Sequence, residues 1–334
     1  AREILTGLPV IRAFGREKKE EERFDDANVA LTKNMLFTNR VMTFMMPLMM
    51  FIMYGVSILI VWVSTDKINT GTIQVGTMTA FITYSMQIVM AFLMITMFSV
   101  MLPRASVSAE RIDEVLNTKV SIEDKPDTKA NPVANGEVAF EHVSFAYPGA
   151  KENVLEDISF VAKTGQTTAI IGGTGSGKTT LVNLIPRFFD VTKGKVMVDG
   201  TDIREMSQES LREAIGYVPQ KGVLFSGTIA SNLRYGKEDA TKEQVMDAAR
   251  IAQAKEIIDG KKDGLDSAIA QGGSNVSGGQ KQRFSIARAI VKDPKIYIFD
   301  DSFSALDYKT DAILRRELSK KTKEAAVIIV AQRI

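Results

Sequence analysis

The stretch Thr167-Thr168-Ala169-Ile170-Ile171 followed by Gly172-Gly173-Thr174-Gly175-Ser176-Gly177-Lys178-Thr179-Thr180 decides the fold of the larger part of this 334-residue chain. The short run of β-branched and small residues predicts a strand over 167–171, and the segment from Thr180 to Phe188 predicts a helix. Between them stands G-x-x-x-x-G-K-[ST] in the strand–loop–helix setting that gives this motif its meaning. Glycines let backbone N–H groups close around phosphate oxygens, and the start of the helix adds positive dipole. Lys178 is expected to reach the β- and γ-phosphates of a nucleotide, and the Thr179 hydroxyl to bind magnesium. A nucleoside triphosphate and Mg2+ are therefore expected, and the loop alone leaves many NTPase families open.

Downstream, Lys295–Phe299 reads as a second buried strand ending in Asp300 and Asp301. An acidic residue at a strand end beside a phosphate loop holds Mg2+ directly or through water, which makes Asp300 a candidate metal residue with Thr179. Val276-Ser277-Gly278-Gly279-Gln280 is a glycine-rich turn opening a helix over 280–291, and its N–H groups suit a γ-phosphate. Upstream, Lys119–Gly136 is polar, carries Pro126 and Pro132, and reads as a linker. The region 137–334 alternates short apolar runs with helical segments, as an α/β phosphate-loop domain does.

The first third has a different composition. Thirteen of the sixteen methionines fall between Met35 and Met101. Val41–Val63 contains no charged residue. As a helix it reaches about 34 Å, against about 30 Å for a bilayer hydrocarbon core. Thr79–Leu102 is a second such run, interrupted only by hydroxyls and Gln87. Two membrane spans are expected. Arg23, Lys33 and Arg40 flank one side and Arg104, Arg111 and Lys119 the other, whereas the 64–78 connection holds only Asp66 and Lys67. The positive-inside rule places both flanks in the cytoplasm and the connection outside. Pro47 is expected to kink the first span. Gln87 is expected to face protein or a water-filled cavity, for an interhelical hydrogen bond or for substrate. The net charge of +2 gives no bulk electrostatic reason for a nucleic-acid partner, and the absence of cysteine excludes disulfides and thiolate metal sites. His142, the one histidine, is given no chemistry. Ala1 opens within a helical pattern and Ile334 follows a strand-like run, so the sequence reads as a piece of a longer protein.

These motifs, in this order, resemble the ATP-binding cassette exporters of the multidrug and lipid-export type, over essentially the whole chain. The resemblance implies all-α transmembrane helices followed by an α/β nucleotide-binding domain. It assigns 1–118 to a partial transmembrane domain, in which Gly7–Gly15 looks like an intracellular coupling segment and 41–63 and 79–102 look like the fifth and sixth helices. The linker covers 119–136 and the nucleotide-binding domain 137–334. It makes Tyr147 the adenine-stacking aromatic and Gln220 the Q-loop amide, suited to Mg2+ or its waters. Ser277, Gly278, Gly279 and Gln280 become the signature that acts on a partner's nucleotide, and Ser304 and Asp307 belong to the D-loop. Two positions depart from the family pattern: Asp301 stands where a catalytic glutamate is usual, and Gln332 where a switch histidine is usual. Gln271, before the signature, is a smaller departure. A carboxylate one methylene short and a glutamine unable to shuttle a proton imply ATP binding with weak hydrolysis.

The resemblance therefore implies the degenerate-site subunit of a heterodimer. Its partners are a second half-transporter, the lipid bilayer and a hydrophobic drug, lipid or other small molecule. A non-hydrolytic regulatory subunit and a peptide exporter are the alternatives, and the two spans argue against a soluble cassette ATPase of DNA repair or translation.

Overall fold

A computed structural model describes residues 2–126, 128 and 132–331, so Gln332 lies outside the described residues. The chain divides between Thr118 and Lys119 into two compact units.

The first unit consists of α1 (Arg2–Ala13), α2 (Glu17–Asn69) and α3 (Val75–Leu116). Gly15, at φ 57°, turns the chain from α1 into α2, a conformation glycine adopts without the steric cost of a side chain. Helices α2 and α3 pack against each other. Both run well past the apolar stretches, because the charged flanks at 17–40 and 104–114 carry strong helix formers and continue the same helices. The connection is correspondingly shorter than the expected 64–78: Asp66 and Lys67 lie in the last turn of α2, and only 70–74 lie between the helices. Pro47 is accommodated inside α2, which continues through it. The most apolar window of each helix has no buried residue within the chain, which separates these helices from soluble core helices. Phe51 and Trp62 are 77% and 73% exposed, and apolar surface on this scale suits lipid or further membrane helices.

The second unit follows as β1 (Val138–Phe145), β2 (Leu155–Ala162), β3 (Thr167–Ile171), α4 (Lys178–Leu184), β4 (Lys193–Val198), β5 (Thr201–Asp202), α5 (Gln208–Glu213), β6 (Ile215–Val218), β7 (Gly227–Thr228), α6 (Ile229–Arg234), α7 (Lys242–Ile251), α8 (Lys255–Asp259), β8 (Ala268–Ile269), α9 (Gly278–Lys292), β9 (Ile296–Asp300), α10 (Tyr308–Lys321) and β10 (Ala326–Ala331). Strands β2-β1-β4-β5 form an antiparallel sheet, and β3-β10-β9-β6 form a parallel one. The helix expected to reach Phe188 stops at Leu184, because Pro186 and a left-handed Arg187 (φ 53°) end it. His142 lies at an irregularity of β1 with φ 50°, and its Nδ1 is 2.7 Å from Asp157 Oδ1 on exposed β2.

Alternation along β9 explains the layering. Ile296 and Ile298 face a core shared with α4 and the antiparallel sheet, including Val182, Leu184 and Phe140. Tyr297 and Phe299 face the other way, into a core with α7 and α9, including Phe284 and Val245. A strand buried on both faces is expected to be intolerant of truncation. Ile298→Ala, at a fully buried position, should destabilise this unit by about 2–5 kcal/mol, read as a lowered denaturant midpoint with an unchanged slope.

Candidate functional site

The four parallel strands end on one edge, at Ile171, Val218, Asp300 and Ala331. In open α/β sheets ligands bind outside the carboxyl ends of the strands, where backbone polar groups emerge unpaired by the sheet. The described strand ends lead here into the phosphate loop, into Pro219-Gln220 and into Asp300-Asp301. They enclose a cleft of about 260 Å3 lined by Thr174, Gly175, Ser176, Gly177, Lys178, Thr179, Thr180, Gln220, Asp300 and Asp301, with Val154 and Val330 as apolar walls. Residues from three separate motifs therefore meet at one place.

The loop geometry follows from its sequence. Gly177 precedes α4 at φ 84°, and a Cβ there would meet Leu155 Cδ2 at 2.9 Å, so both backbone and packing require glycine. Lys178 Nζ donates to Gly172 O at 2.8 Å and Gly173 O at 2.6 Å, which folds the ammonium over the loop. Thr179 Oγ1 donates to Asp300 Oδ1 at 3.0 Å. Burial pushes the Asp300 carboxyl above its usual range; the Thr179 hydrogen bond and Lys178 oppose this, and neighbouring Asp301 adds to it. A divalent cation would reverse that balance by favouring the charged form. The Thr179 hydroxyl and Asp300 carboxylate are hard oxygen donors, so the donor set fits Mg2+ sharing its remaining positions with water and phosphate. Among the described residues no group of three or more His, Cys, Asp or Glu side chains is placed to hold a metal ion.

Asp301 is buried, adopts φ 45°, and accepts a hydrogen bond from Gln220 Nε2 at 3.2 Å. Its backbone is fixed by a bond from its N–H to Val330 O (3.1 Å) and by Ser304 Oγ donating to its carbonyl (2.9 Å). Ser304 and Asp301 also line a neighbouring cleft of about 420 Å3 with Phe303, Asp311 and Arg315. Tyr147 is not among the residues lining the phosphate-loop cleft, but its hydroxyl is 2.9 Å from Thr180 Oγ1, and Phe145 and Phe189 meet its ring edge-on. Thr180 is among the nucleotide-binding residues expected from the phosphate loop; its bond to Tyr147 and the two aromatic neighbours are what motif reading did not supply.

None of residues 277–280 lines the cleft. Ser277 caps α9 in a reciprocal box: Gln280 N–H donates to Ser277 Oγ at 3.3 Å and Ser277 N–H to Gln280 Oε1 at 3.1 Å. The helix therefore opens at Gly278, two residues before the expected Gln280. Ser277 and Gly278 are exposed, and a Cβ on Gly278 would meet nothing within this chain. Asp307 caps α10 by accepting from Thr310 N–H at 3.0 Å, and hydrogen bonding from the Thr310 side chain, followed by that from its backbone, holds the carboxyl below the usual range.

Comparison with known proteins agrees with this arrangement. Residues 1–92 match the ABC transporter transmembrane region family and residues 155–304 match the ABC transporter family. The chain belongs to the ABC transporters. As a whole it is 46% identical to an uncharacterized ABC transporter ATP-binding protein of Mycobacterium bovis, covering 100% of this chain and 58% of that one. It is 36% identical to a putative multidrug export ATP-binding/permease protein of Bacillus subtilis, over 99% of this chain and 57% of the relative. It is 35% identical to an ATP-dependent lipid A-core flippase of Desulfotalea psychrophila, over 99% and 58%. Its fold matches the structure of a bacterial Atm1-family ABC exporter with ATP bound, at a TM-score of 0.83 and 29% identity, over 98% of this chain and 58% of that one. This ABC transporter chain thus spans a little under three-fifths of the curated relatives it matches. It combines membrane-spanning helices with a nucleotide-binding fold.

Proposed function

We propose that this chain is the membrane-and-ATPase part of an exporter half-transporter. It binds ATP and Mg2+ at 172–180 and pairs with a second half-transporter to move a hydrophobic compound, drug or lipid out of the cell. The observation that carries the reading is the convergence of Lys178, Thr179, Gln220 and Asp300 on one cleft at the strand ends, in a chain that also contains two lipid-suited helices. Lys178 would hold the β- and γ-phosphates, and Thr179, Asp300 and Gln220 would hold Mg2+ or its waters. Tyr147 would stack on adenine; its hydroxyl ties the ring to the phosphate-loop helix. Bound Mg2+ would neutralise phosphate charge in the cleft.

The site is proposed to be hydrolytically weak. Asp301 brings its carboxylate one methylene less far than glutamate would, and its carboxylate accepts from Gln220. The exposed signature is proposed to act in trans: Gly278 has no packing reason to be glycine within its own chain, which fits close approach of a partner's nucleotide. Ser304 and Asp307 would lie along the same head-to-tail contact. In the membrane part, α1 with Gly15 is read as the coupling segment, and α2 and α3 contain the fifth and sixth spans. A homodimer or a purely regulatory ATP-binding subunit is the competing reading, and the mutant contrast below separates them.

Orientation is tested by labelling. Residues 1–334 contain no cysteine, so single cysteines at Asn69 and Thr128, introduced into the full-length protein with any cysteine outside these residues replaced, report topology cleanly. An impermeant thiol reagent on intact cells should label position 69 and spare 128. Labelling at 128 and not at 69 would contradict a cytoplasmic ATPase.

A further inference from the structure

Arg187 is charged and almost fully buried, and it lies in the second unit where the phosphate-loop motif gives it no role. It follows α4 by three positions, and its backbone is left-handed at φ 53°, a conformation an arginine holds only when its surroundings fix it. Its side chain is 4% exposed. Nε donates to Asp190 Oδ1 at 2.8 Å and Nη2 to Asp190 Oδ2 at 3.3 Å. Closing that local turn accounts for one edge of the guanidinium. The rest faces the polar segment that joins this unit to α3: Nη2 donates to Glu123 O at 3.4 Å, and Nη1 lies 3.6 Å from Asp124 Oδ1.

Gln208 grips the same segment from α5. Its backbone N–H is 3.1 Å from Asp124 Oδ2, and its Nε2 donates to Asp124 Oδ1 at 3.1 Å and to Ile122 O at 3.4 Å. The two grips are themselves tied together, because Arg212 of α5 donates to Pro186 O at 3.1 Å and to Arg187 O at 3.2 Å. Phosphate-loop helix end, α5 and residues 122–124 thus form one knot. Helix α4 has seven residues, so Lys178 and the knot are joined by a rigid element about 10 Å long. On the other side, residues 117–121 alone separate the knot from the last residue of α3.

We propose that Arg187 and Gln208 clamp residues 122–124 to the end of the phosphate-loop helix, so that nucleotide binding at Lys178 is passed through α4 to the chain leading into membrane helix α3. The proposal rests on the ATP site proposed above. Arg187 acts here as a positioning residue and touches no nucleotide. The clamp is a covalently continuous route within one chain, and it predicts that linker and phosphate loop respond to nucleotide together.

The test is hydrogen exchange on the full-length transporter with its partner in lipid nanodiscs, with and without Mg2+ and the non-hydrolysable analogue AMP-PNP. The variant Asp124→Ala/Gln208→Ala opens the clamp from its more exposed side and leaves Arg187–Asp190 in place. In the unaltered protein, AMP-PNP should slow exchange at 172–190 and change it at 119–125 in the same titration. In the double variant the response at 172–190 should remain at the same analogue concentration while that at 119–125 is lost; Asp124→Asn alone should weaken it. A linker response that survives the double variant, or one absent from the unaltered protein while 172–190 responds, would overturn the clamp. No response at 172–190 would instead remove the ATP site itself, and the clamp with it.

Discussion

Ser277→Arg is expected to lower the steady-state ATPase rate of the purified heterodimer by about 10²–10³, whereas Asp301→Asn leaves most of it intact. Ser277 is exposed at the start of α9, and its neighbour Gly278 is open on the side away from its own chain. A bulky cation there would displace the donors that meet the developing charge on the partner's γ-phosphate. Ser277 also caps α9, so part of the loss has a structural source; Ser277→Ala, which removes the cap without the bulk, should cost the helix about 0.5–2 kcal/mol and should spare more of the turnover. Asp301 lies in this chain's own cleft, and under the proposal that hydrolysis there is weak, removing its charge should change little. Severe loss at Asp301 with sparing at Ser277 would mean that this chain owns the working site. A homodimer predicts severe loss from both, since every site would contain both residues.

Lys178→Ala is expected to remove most of the ATP affinity of this chain's site. The ammonium now bonds Gly172 O, Gly173 O and Ser176 Oγ, so it is already poised over the loop that would receive phosphate. Charge-assisted hydrogen bonds of this kind contribute about 1.5–3 kcal/mol each, which corresponds to roughly tenfold to a hundredfold or more in affinity. Nucleotide titration of the full-length chain with Mg2+ present measures it directly, and unchanged affinity would mean that 172–179 is not the phosphate site.

The features legible in the sequence were those whose chemistry dictates residue type. A phosphate loop has to place glycines where φ is positive, as at Gly177, and a lysine at the next position, so the motif by itself marks the residues that line the cleft. The apolar runs at 41–63 and 79–102 were legible because lipid admits almost nothing else. Element ends are less legible than element type. Helices α2 and α3 outrun the apolar runs because a charged flank of good helix formers has no reason to stop at the bilayer edge, and α4 stops short because Pro186 and Arg187 end it. Contacts between residues far apart in sequence were invisible: nothing near Arg187 announces Glu123 and Asp124, and nothing near Tyr147 announces Thr180 or Phe189. Asp301 is legible as a departure, but its bond to Gln220 depends on the pairing of β6 with β9, which no local motif announces.

The central claim, that this chain holds ATP at its own site while its signature serves hydrolysis on the partner, is tested most directly by vanadate trapping of the purified pair with a photoreactive 8-azido-ATP. Before turnover, cross-linking on ice should label both chains. After turnover, trapping and washing, the retained label should lie on the partner and be lost when Ser277→Arg is introduced here. Retained label on this chain, insensitive to Ser277→Arg, would contradict the account.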